Sequence, residues 1–374
     1  MNDLGAFYRG RRVFLTGHTG FKGSWMALWL TMLGAEVHGF ALEPPTNPSL
    51  FEEARVRNHL ASHTIGDVRD IENLARALTS ARPEIVFHFA AQPLVRLSYR
   101  EPRQTYDTNV MGTVNLLDAV RTVDSVRVCQ VVTSDKCYEN REWVYAYREN
   151  DPMGGFDPYS SSKGCVELVV AAWRRSFFNT SDLAKHGVSL SSVRAGNVIG
   201  GGDWAEDRII PDCIRSLQKG ESILVRNPHA IRPWQHVIEP LSGYLLLAAR
   251  QWDEPTEFAD AFNFGPTSSG NITVREIVER VLHGWGQGAW HSPPSKTATA
   301  ARDPHEANFL KLDITKATTL LGWRPAWTVE QAVEQTVGWY RRRAAGSFDA
   351  AKYCGEQIES WTRVRGDRAK ELTK

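Results

Sequence analysis

One short stretch constrains this chain more than any other: Thr16-Gly17-His18-Thr19-Gly20-Phe21-Lys22-Gly23. It follows directly on the run Arg12 to Thr16 and opens an apolar segment at helical spacing, Ser24 to Leu33. Glycine at these spacings permits a tight turn, lets the backbone approach a pyrophosphate, and lets strand and helix pack closely. The helix N-terminus adds free N–H groups and the positive end of a dipole. On the glycines alone an ordinary strand-to-helix turn competes with this reading. Their place at the first strand-helix junction favours a phosphate-binding turn, with Gly17, Thr19, Gly20, Phe21, Lys22 and Gly23 as its residues.

The rest of the first half repeats the alternation that such a turn belongs to. Short β-branched or apolar runs at Arg12 to Thr16, Glu36 to Leu42, His63 to Gly66, Glu84 to Ala90, Arg127 to Thr133 and Val188 to Arg194 read as strands. Helical spacing occupies Ser24 to Leu33, Ile71 to Ser80, Thr105 to Val123 and Tyr159 to Phe178. Strands alternating with longer helices predict an α/β, Rossmann-type doubly wound parallel sheet, here over residues 1–195. Beyond it the texture turns Gly- and Pro-rich, with shorter helices at Ile210 to Lys219, Pro240 to Ala249 and Val274 to His283. Residues 196–345 are therefore expected to form a smaller, interleaved substrate domain, with a strand near 261–265 returning to the main sheet. Gln287 to Ala301 reads as a loop, and residues 346–374 as a charged tail, either an appended helix or an interface element.

Composition narrows the class of function. The 44 Lys and Arg against 43 Asp and Glu leave a formal charge of +1, so no bulk basic field attracts nucleic acid or an anionic membrane. The longest apolar stretch, Trp25 to Leu33, is far short of the roughly 20 residues of a membrane span. Arg9, Arg11 and Arg12 before Val13-Phe14-Leu15 mimic a signal peptide only until Gly17. Cys129, Cys137, Cys165, Cys213 and Cys354 are too sparse for a disulfide framework, so a reducing cytoplasm is expected. The histidines show no metal-ligand clustering, and no catalytic metal is expected.

A dinucleotide fold places an acidic residue at the end of the second strand for the adenosine ribose. Glu43 stands near that distance but just beyond the strand, which leaves the ribose unassigned. No Lys or Arg occurs between Val37 and Arg55 to meet a 2′-phosphate, which favours NAD over NADP.

The fifth strand ends in Thr133-Ser134-Asp135-Lys136, and a later helix opens with Tyr159-Ser160-Ser161-Ser162-Lys163. Tyrosine and lysine four apart share a helix face. The ammonium then lies near the phenol and a nicotinamide ribose, and cations are expected to pull the phenol toward working pH so that it takes a proton from a sugar hydroxyl. Together with Gly66-Asp67-Val68, Ala90-Ala91-Gln92, Thr108-Asn109-Val110 and Arg194-Ala195-Gly196-Asn197-Val198, these residues resemble the extended short-chain dehydrogenase/reductase family over most of the chain. The Ser134-Asp135-Lys136 triplet resembles that of the nucleotide-sugar 4,6-dehydratases. Thr16 to Trp25, Thr133 to Tyr138 and Arg232-Pro233-Trp234-Gln235-His236-Val237 resemble the branch acting on a cytidine diphosphate hexose.

The resemblance implies NAD bound by the glycine turn, Asp67, Val68, Ala90, Ala91, Gln92, Asn109, Tyr159 and Lys163. It implies catalysis by Ser134, Asp135, Lys136, Tyr159 and Lys163, and CDP-glucose or a related nucleotide sugar as substrate, held by Asn197, Arg208, Arg232 and Arg302. Within the family the third residue of the triplet is glutamate, so Lys136 departs from it. The base at C5 is either Lys136, if its pKa is depressed, or a group elsewhere. A 4-epimerase and a noncatalytic NAD sensor are the competing functions; Asp135 argues against the first, and Tyr159 with Lys163 against the second. A homodimer or homotetramer is expected through Thr105 to Val123 and Tyr159 to Phe178, with Val169, Val170 and Trp173 as apolar contacts.

Overall fold

The computed structural model describes residues 4–267, 270–293 and 309–371. Seven strands, β1 (Arg12–Thr16), β2 (Glu36–Ala41), β3 (Ser62–Ile65), β4 (Ile85–His88), β5 (Val128–Val132), β6 (Ser189–Ala195) and β7 (Ala261–Phe264), form one sheet in the order β7-β6-β5-β4-β1-β2-β3. Every pairing in it is parallel. Each residue of β4, β5 and β6 is buried, as a parallel sheet requires when helices cover both faces. The strand order reverses between β1 and β4. The crevice at their carboxyl ends is where ligands bind in such sheets, and the glycine turn leaves β1 there.

Helix α1 (Phe21–Met32) is apolar all round and buried on every side from Gly23 to Leu30, the pattern of a helix inside a core rather than on its surface. One side faces the sheet; the other meets α9 (Ala350–Glu371), where Trp361 stacks edge-on against Trp29 at 5.6 Å. The charged tail expected beyond residue 345 is thus largely a helix whose Ala350, Cys354, Ile358 and Trp361 join the main core. The other long helices are α2 (Ile71–Ala81), α3 (Gly112–Val120), α4 (Pro158–Ser176), α5 (Ile209–Lys219), α6 (Ile238–Asp253), α7 (Val274–Trp285) and α8 (Val329–Ala344).

Three expectations about local structure are corrected. The helix expected from Thr105 to Val123 is two helical pieces, Pro102–Tyr106 and α3, joined by a π-helical turn at Asp107–Met111. Part of the expected loop from Gln287 to Ala301 is extended: Trp290–His291 pairs in parallel with Ile223–Leu224, and residues from 294 onward lie outside the described ones. The strand expected to reach Ala90 stops at His88, because the N–H groups of Phe89 and Ala90 both donate to Thr16 Oγ1. That hydroxyl turns the chain away from the sheet and opens the crevice between β1 and β4.

Candidate active site

The three glycines of the turn do different work. Gly17 has φ +74°, and a Cβ there would sit 2.7 Å from the backbone nitrogen of Ala90. A Cβ on Gly23 would collide with the carbonyl of Gly17. The protein's own packing demands both. At Gly20 φ is −78° and an added Cβ would meet nothing closer than 3.4 Å, an ordinary contact, so no packing reason holds glycine there. Gly20 is also the N-cap of α1, with no side-chain cap and no acidic residue in the first turn. The N–H groups at this helix end are left to an anion, which is the fit a dinucleotide pyrophosphate requires.

Thr19 Oγ1 donates to the carbonyl of Leu42 and ties the turn to the end of β2. His18 is buried between Gly39 and Phe51, its Nε2 2.7 Å from His63 Nδ1. Burial and then the neighbouring His63 push His18 down to about 3, so the pair is neutral. Beside it a cleft is lined by Glu43, Phe51, Arg55, Arg57, His63 and Ile65. The chain between Val37 and Arg55 holds no cation, yet folding brings Arg55 and Arg57 to the same cleft as Glu43. Sequence distance could not show it.

Several residues expected to touch the cofactor also hold the protein's own loops together. Asn109 accepts from the Gln92 N–H (2.8 Å) and donates to the Gln92 carbonyl (3.1 Å) and to Ser162 Oγ (2.8 Å). Gln92 donates to Thr105 Oγ1 and the Leu94 carbonyl. These two amides brace the loop after β4 against α4. Arg69 Nε and Nη2 both donate to Asp67 Oδ2, at 2.9 and 2.6 Å, and Val68 packs on Gly112. Ala90 and Ala91 lie on the loop that passes the turn, half-buried.

The catalytic constellation converges from two elements. Ser134 and Asp135 follow β5 and enter a 3₁₀ turn (Asp135–Cys137) that Ser134 Oγ caps by accepting from the Lys136 N–H. Tyr159 and Lys163 lie on the buried face of α4, whose N-terminus is capped by Asp157. The Ser134 hydroxyl reaches both Asp135 Oδ1 (3.0 Å) and the Tyr159 phenol. Lys163 Nζ donates to the Val132 carbonyl at 3.2 Å. Burial pushes Lys163 down to about 8, against the raising charge of Glu167.

The phenol does not behave as the helix spacing suggested. Burial raises Tyr159 to about 12, with the Ser134 hydrogen bond and the Arg208 charge acting to lower it. In this pocket desolvation outweighs the cations, and the lowering charge comes from Arg208, a residue assigned from sequence to substrate phosphate. Asp135 is 2% exposed, and burial raises its carboxyl against the charges of Lys136, Arg232 and Lys22. Its Oδ2 has no hydrogen-bond partner and lies over Gly196, where a Cβ would come within 2.9 Å.

Lys22, expected among the cofactor ligands, stands in the field of this centre. Burial lowers its ammonium to about 8, and Arg208, Asp135, Lys163 and Asp203 act on it. Lys136 is half-buried beside Asp135.

Of the four expected substrate ligands, Arg208 pairs with Asp203 at 2.9 Å near Tyr159, and Arg232 is buried with its charge on Asp135. Asn197 is half-buried after β6, its carbonyl accepting from the Gln235 N–H. Arg302 lies outside the described residues. Two arginines were missed: Arg96 and Arg226 both pair with Asp207, at 3.6 and 2.9 Å, one residue before Arg208. No spacing in the chain marks them, because they arrive from opposite halves of it.

Comparison with known proteins places the chain among nucleotide-sugar dehydratases. The family model described as GDP-mannose 4,6 dehydratase matches residues 14–336. A CDP-glucose 4,6-dehydratase of Salmonella typhimurium is 54% identical over 335 residues, covering 90% of this chain and 92% of that protein. The human GDP-mannose 4,6 dehydratase is 26% identical, covering 86% and 89%. Among solved structures, an epimerase from Methanothermobacter thermautotrophicus superposes with a TM-score of 0.76 at 20% identity, covering 92% of this chain and 96% of that one. A dTDP-glucose 4,6-dehydratase from Streptomyces venezuelae, solved with NAD bound, superposes with a TM-score of 0.72 at 24% identity, covering 89% and 98%.

Proposed function

The chain belongs to the GDP-mannose 4,6-dehydratase family, and from that premise we propose how its site works. The protein is an NAD-dependent hydro-lyase that converts CDP-glucose into CDP-4-keto-6-deoxy-glucose and water. The observation that carries the chemistry is the buried carboxyl of Asp135, raised by desolvation and with one oxygen unpartnered. Burial that favours the protonated carboxyl suits Asp135 to donate a proton to a departing hydroxyl, and a 4-epimerase has no hydroxyl to expel.

When bound, NAD would supply a hydride acceptor for C4 and the donor of that hydride to C6. The turn from Gly17 to Gly23 and the N-terminus of α1 hold its pyrophosphate, and Lys163 its nicotinamide ribose. Tyr159 takes the proton of the 4-hydroxyl, relayed through or steadied by Ser134. The 4-ketone acidifies the C5 proton. Asp135 gives its proton to the 6-hydroxyl, which leaves as water. Lys136, next to Asp135, in its neutral form removes the C5 proton and gives it back to C5 as hydride enters C6, or as the ammonium stabilises the enolate while another group carries that proton. Arg208 and Arg232 hold the diphosphate, with guanidinium geometry suited to it, and Arg302 and Asn197 are the remaining expected ligands.

Given CDP-, dTDP-, GDP- and UDP-hexoses in turn, the protein should yield a 4-keto product from CDP-glucose well ahead of the others. A product epimerised at C4 without loss of water would overturn the dehydratase reading. For the cofactor site, Gly20→Val should abolish NAD binding in titration calorimetry while the protein melts like the wild type, whereas Gly17→Val should fail to fold. Retained NAD affinity in Gly20→Val would remove the pyrophosphate from the turn.

We also propose self-association across the helices at 102–120 and 158–176, through residues other than those first expected. Val170 is fully buried, and Val169 and Trp173 pack on the chain's own core. Leu168 (59% exposed) and Met111 (49%) are the apolar side chains these helices present outward. Sedimentation of the wild type as a dimer or tetramer, and of Leu168→Lys with Met111→Lys as a monomer, is the expected result; a wild-type monomer at micromolar concentration contradicts it. No helix of the described residues is long and apolar enough to cross a membrane. All five cysteines are free, which fits a reducing cytoplasm; recovery of the activity in a membrane fraction would contradict that location.

A further inference from the structure

Beneath the catalytic residues lies a buried ion pair that the reaction scheme above leaves unused. Glu167 follows Lys163 by four positions on α4 and Tyr159 by eight, so all three line one face of the helix. Glu167 Oε1 accepts from Thr133 Oγ1, the residue just before Ser134. Its Oε2 accepts from Ser192 Oγ and from Arg194 Nη2, both at 2.7 Å, on the neighbouring strand β6. Arg194 Nη1 then donates to Tyr138 Oη at 2.6 Å and to the Glu149 carbonyl at 2.9 Å. Tyr138 closes the turn that carries Asp135 and Lys136, and its own hydroxyl donates to Asn263 on β7 at 2.7 Å. The side chains of the pair are 4% and 3% exposed.

A buried ion pair contributes little to stability, because desolvating two charges offsets most of their attraction. Here the pair joins both ends of the Thr133 to Tyr138 segment to the helix that bears Tyr159 and Lys163. We infer that Glu167 and Arg194 are positioning residues for the oxidation step, holding the Ser134-Asp135-Lys136 turn in register with Tyr159 and setting a carboxylate one helical turn from the Lys163 ammonium. The inference rests on the roles given above to Tyr159 and Lys163. Burial lowers Lys163 to about 8, and the Glu167 carboxylate acts to raise it. Burial also pushes the Glu167 carboxyl upward, but the Arg194 charge and the hydrogen bonds from Arg194, Thr133 and Ser192 leave it below the usual carboxylate range, so it is ionised.

The test uses the full-length enzyme with NAD, following formation of enzyme-bound NADH in a single turnover of CDP-glucose across pH. Glu167→Gln keeps the shape and an acceptor for Thr133 but removes the charge. Lys163 should then lose its proton at lower pH, so the basic limb of the profile should move down by about one unit. Glu167→Asp, which restores the charge on a shorter stem, should leave the limb in place while slowing the step, since Thr133 and Ser134 lose their register. A folded Glu167→Gln with an unmoved limb overturns the inference. Should Glu167→Gln fail to fold, Thr133→Val decides it: that variant removes one bond to the carboxylate, and an unchanged oxidation rate overturns the positioning role. A fully active Tyr159→Phe enzyme would instead overturn the underlying roles, whereas an inactive one beside an unmoved limb condemns this inference alone.

Discussion

Tyr159→Phe should lower the rate of C4 oxidation by roughly 10²–10⁴-fold, the usual worth of a positioned general base, equivalent to about 3–5 kcal/mol of transition-state stabilisation. The substitution deletes one oxygen from a ring that is 8% exposed and anchored on α4, so fold and NAD affinity should survive. The wild-type rate should also rise with pH up to the point where Lys163, near 8, begins to discharge, because burial holds the phenol high and the phenolate is the scarce form. Rapid-mixing absorbance of bound NADH gives the measurement. An oxidation rate within a few-fold of wild type would remove Tyr159 from the base role.

Asp135→Asn should separate the two halves of the reaction. The amide cannot supply the proton that the departing 6-hydroxyl needs, while Tyr159 and Ser134 remain, so C4 oxidation should proceed and elimination should slow by roughly 10²–10⁴-fold. Enzyme-bound NADH should therefore persist in the variant and stay transient in the wild type. With deuterium at C4 of CDP-glucose, the wild type should return the label to C6 of the 4-keto-6-deoxy product with no net NADH. Wild-type turnover by Asp135→Asn, or label lost to free NADH, would sink the assignment. An intermediate outcome with slow oxidation as well would point to the Ser134–Asp135 hydrogen bond of 3.0 Å, which the amide also alters.

The parallel sheet, the glycine turn, the return strand at Ala261–Phe264 and the pairing of Tyr159 with Lys163 were all legible in the chain. These depend on local periodicity: alternation of short apolar runs with helices, glycine spacing at one junction, and a four-residue step along one helix face. The family resemblance rode on the same short strings, which is why it was visible before any folding was considered. What the three glycines each do was not legible. Gly17 and Gly23 answer to backbone contacts with Ala90 and Gly17 itself, and Gly20 to an empty helix end, and a spacing pattern weights all three alike.

Tertiary structure alone decided the electrostatics of the site. Identity and spacing put Tyr159 beside a cation and so predicted a lowered phenol; burial, a property of everything packed around it, reversed the direction. The same holds for Asn109 and Gln92, whose amide partners Ser162 and Thr105 only the fold brings against them. It holds again for Arg96, Arg226 and the Glu167–Arg194 pair, assembled from segments far apart in the chain. By itself the sequence determined which chemical groups this protein owns and which helix or strand carries each, because propensity and periodicity act over a few residues. Desolvation and charge coupling act through space, and only the packed molecule sets which of those groups meet, how dry they are and which proton each one keeps.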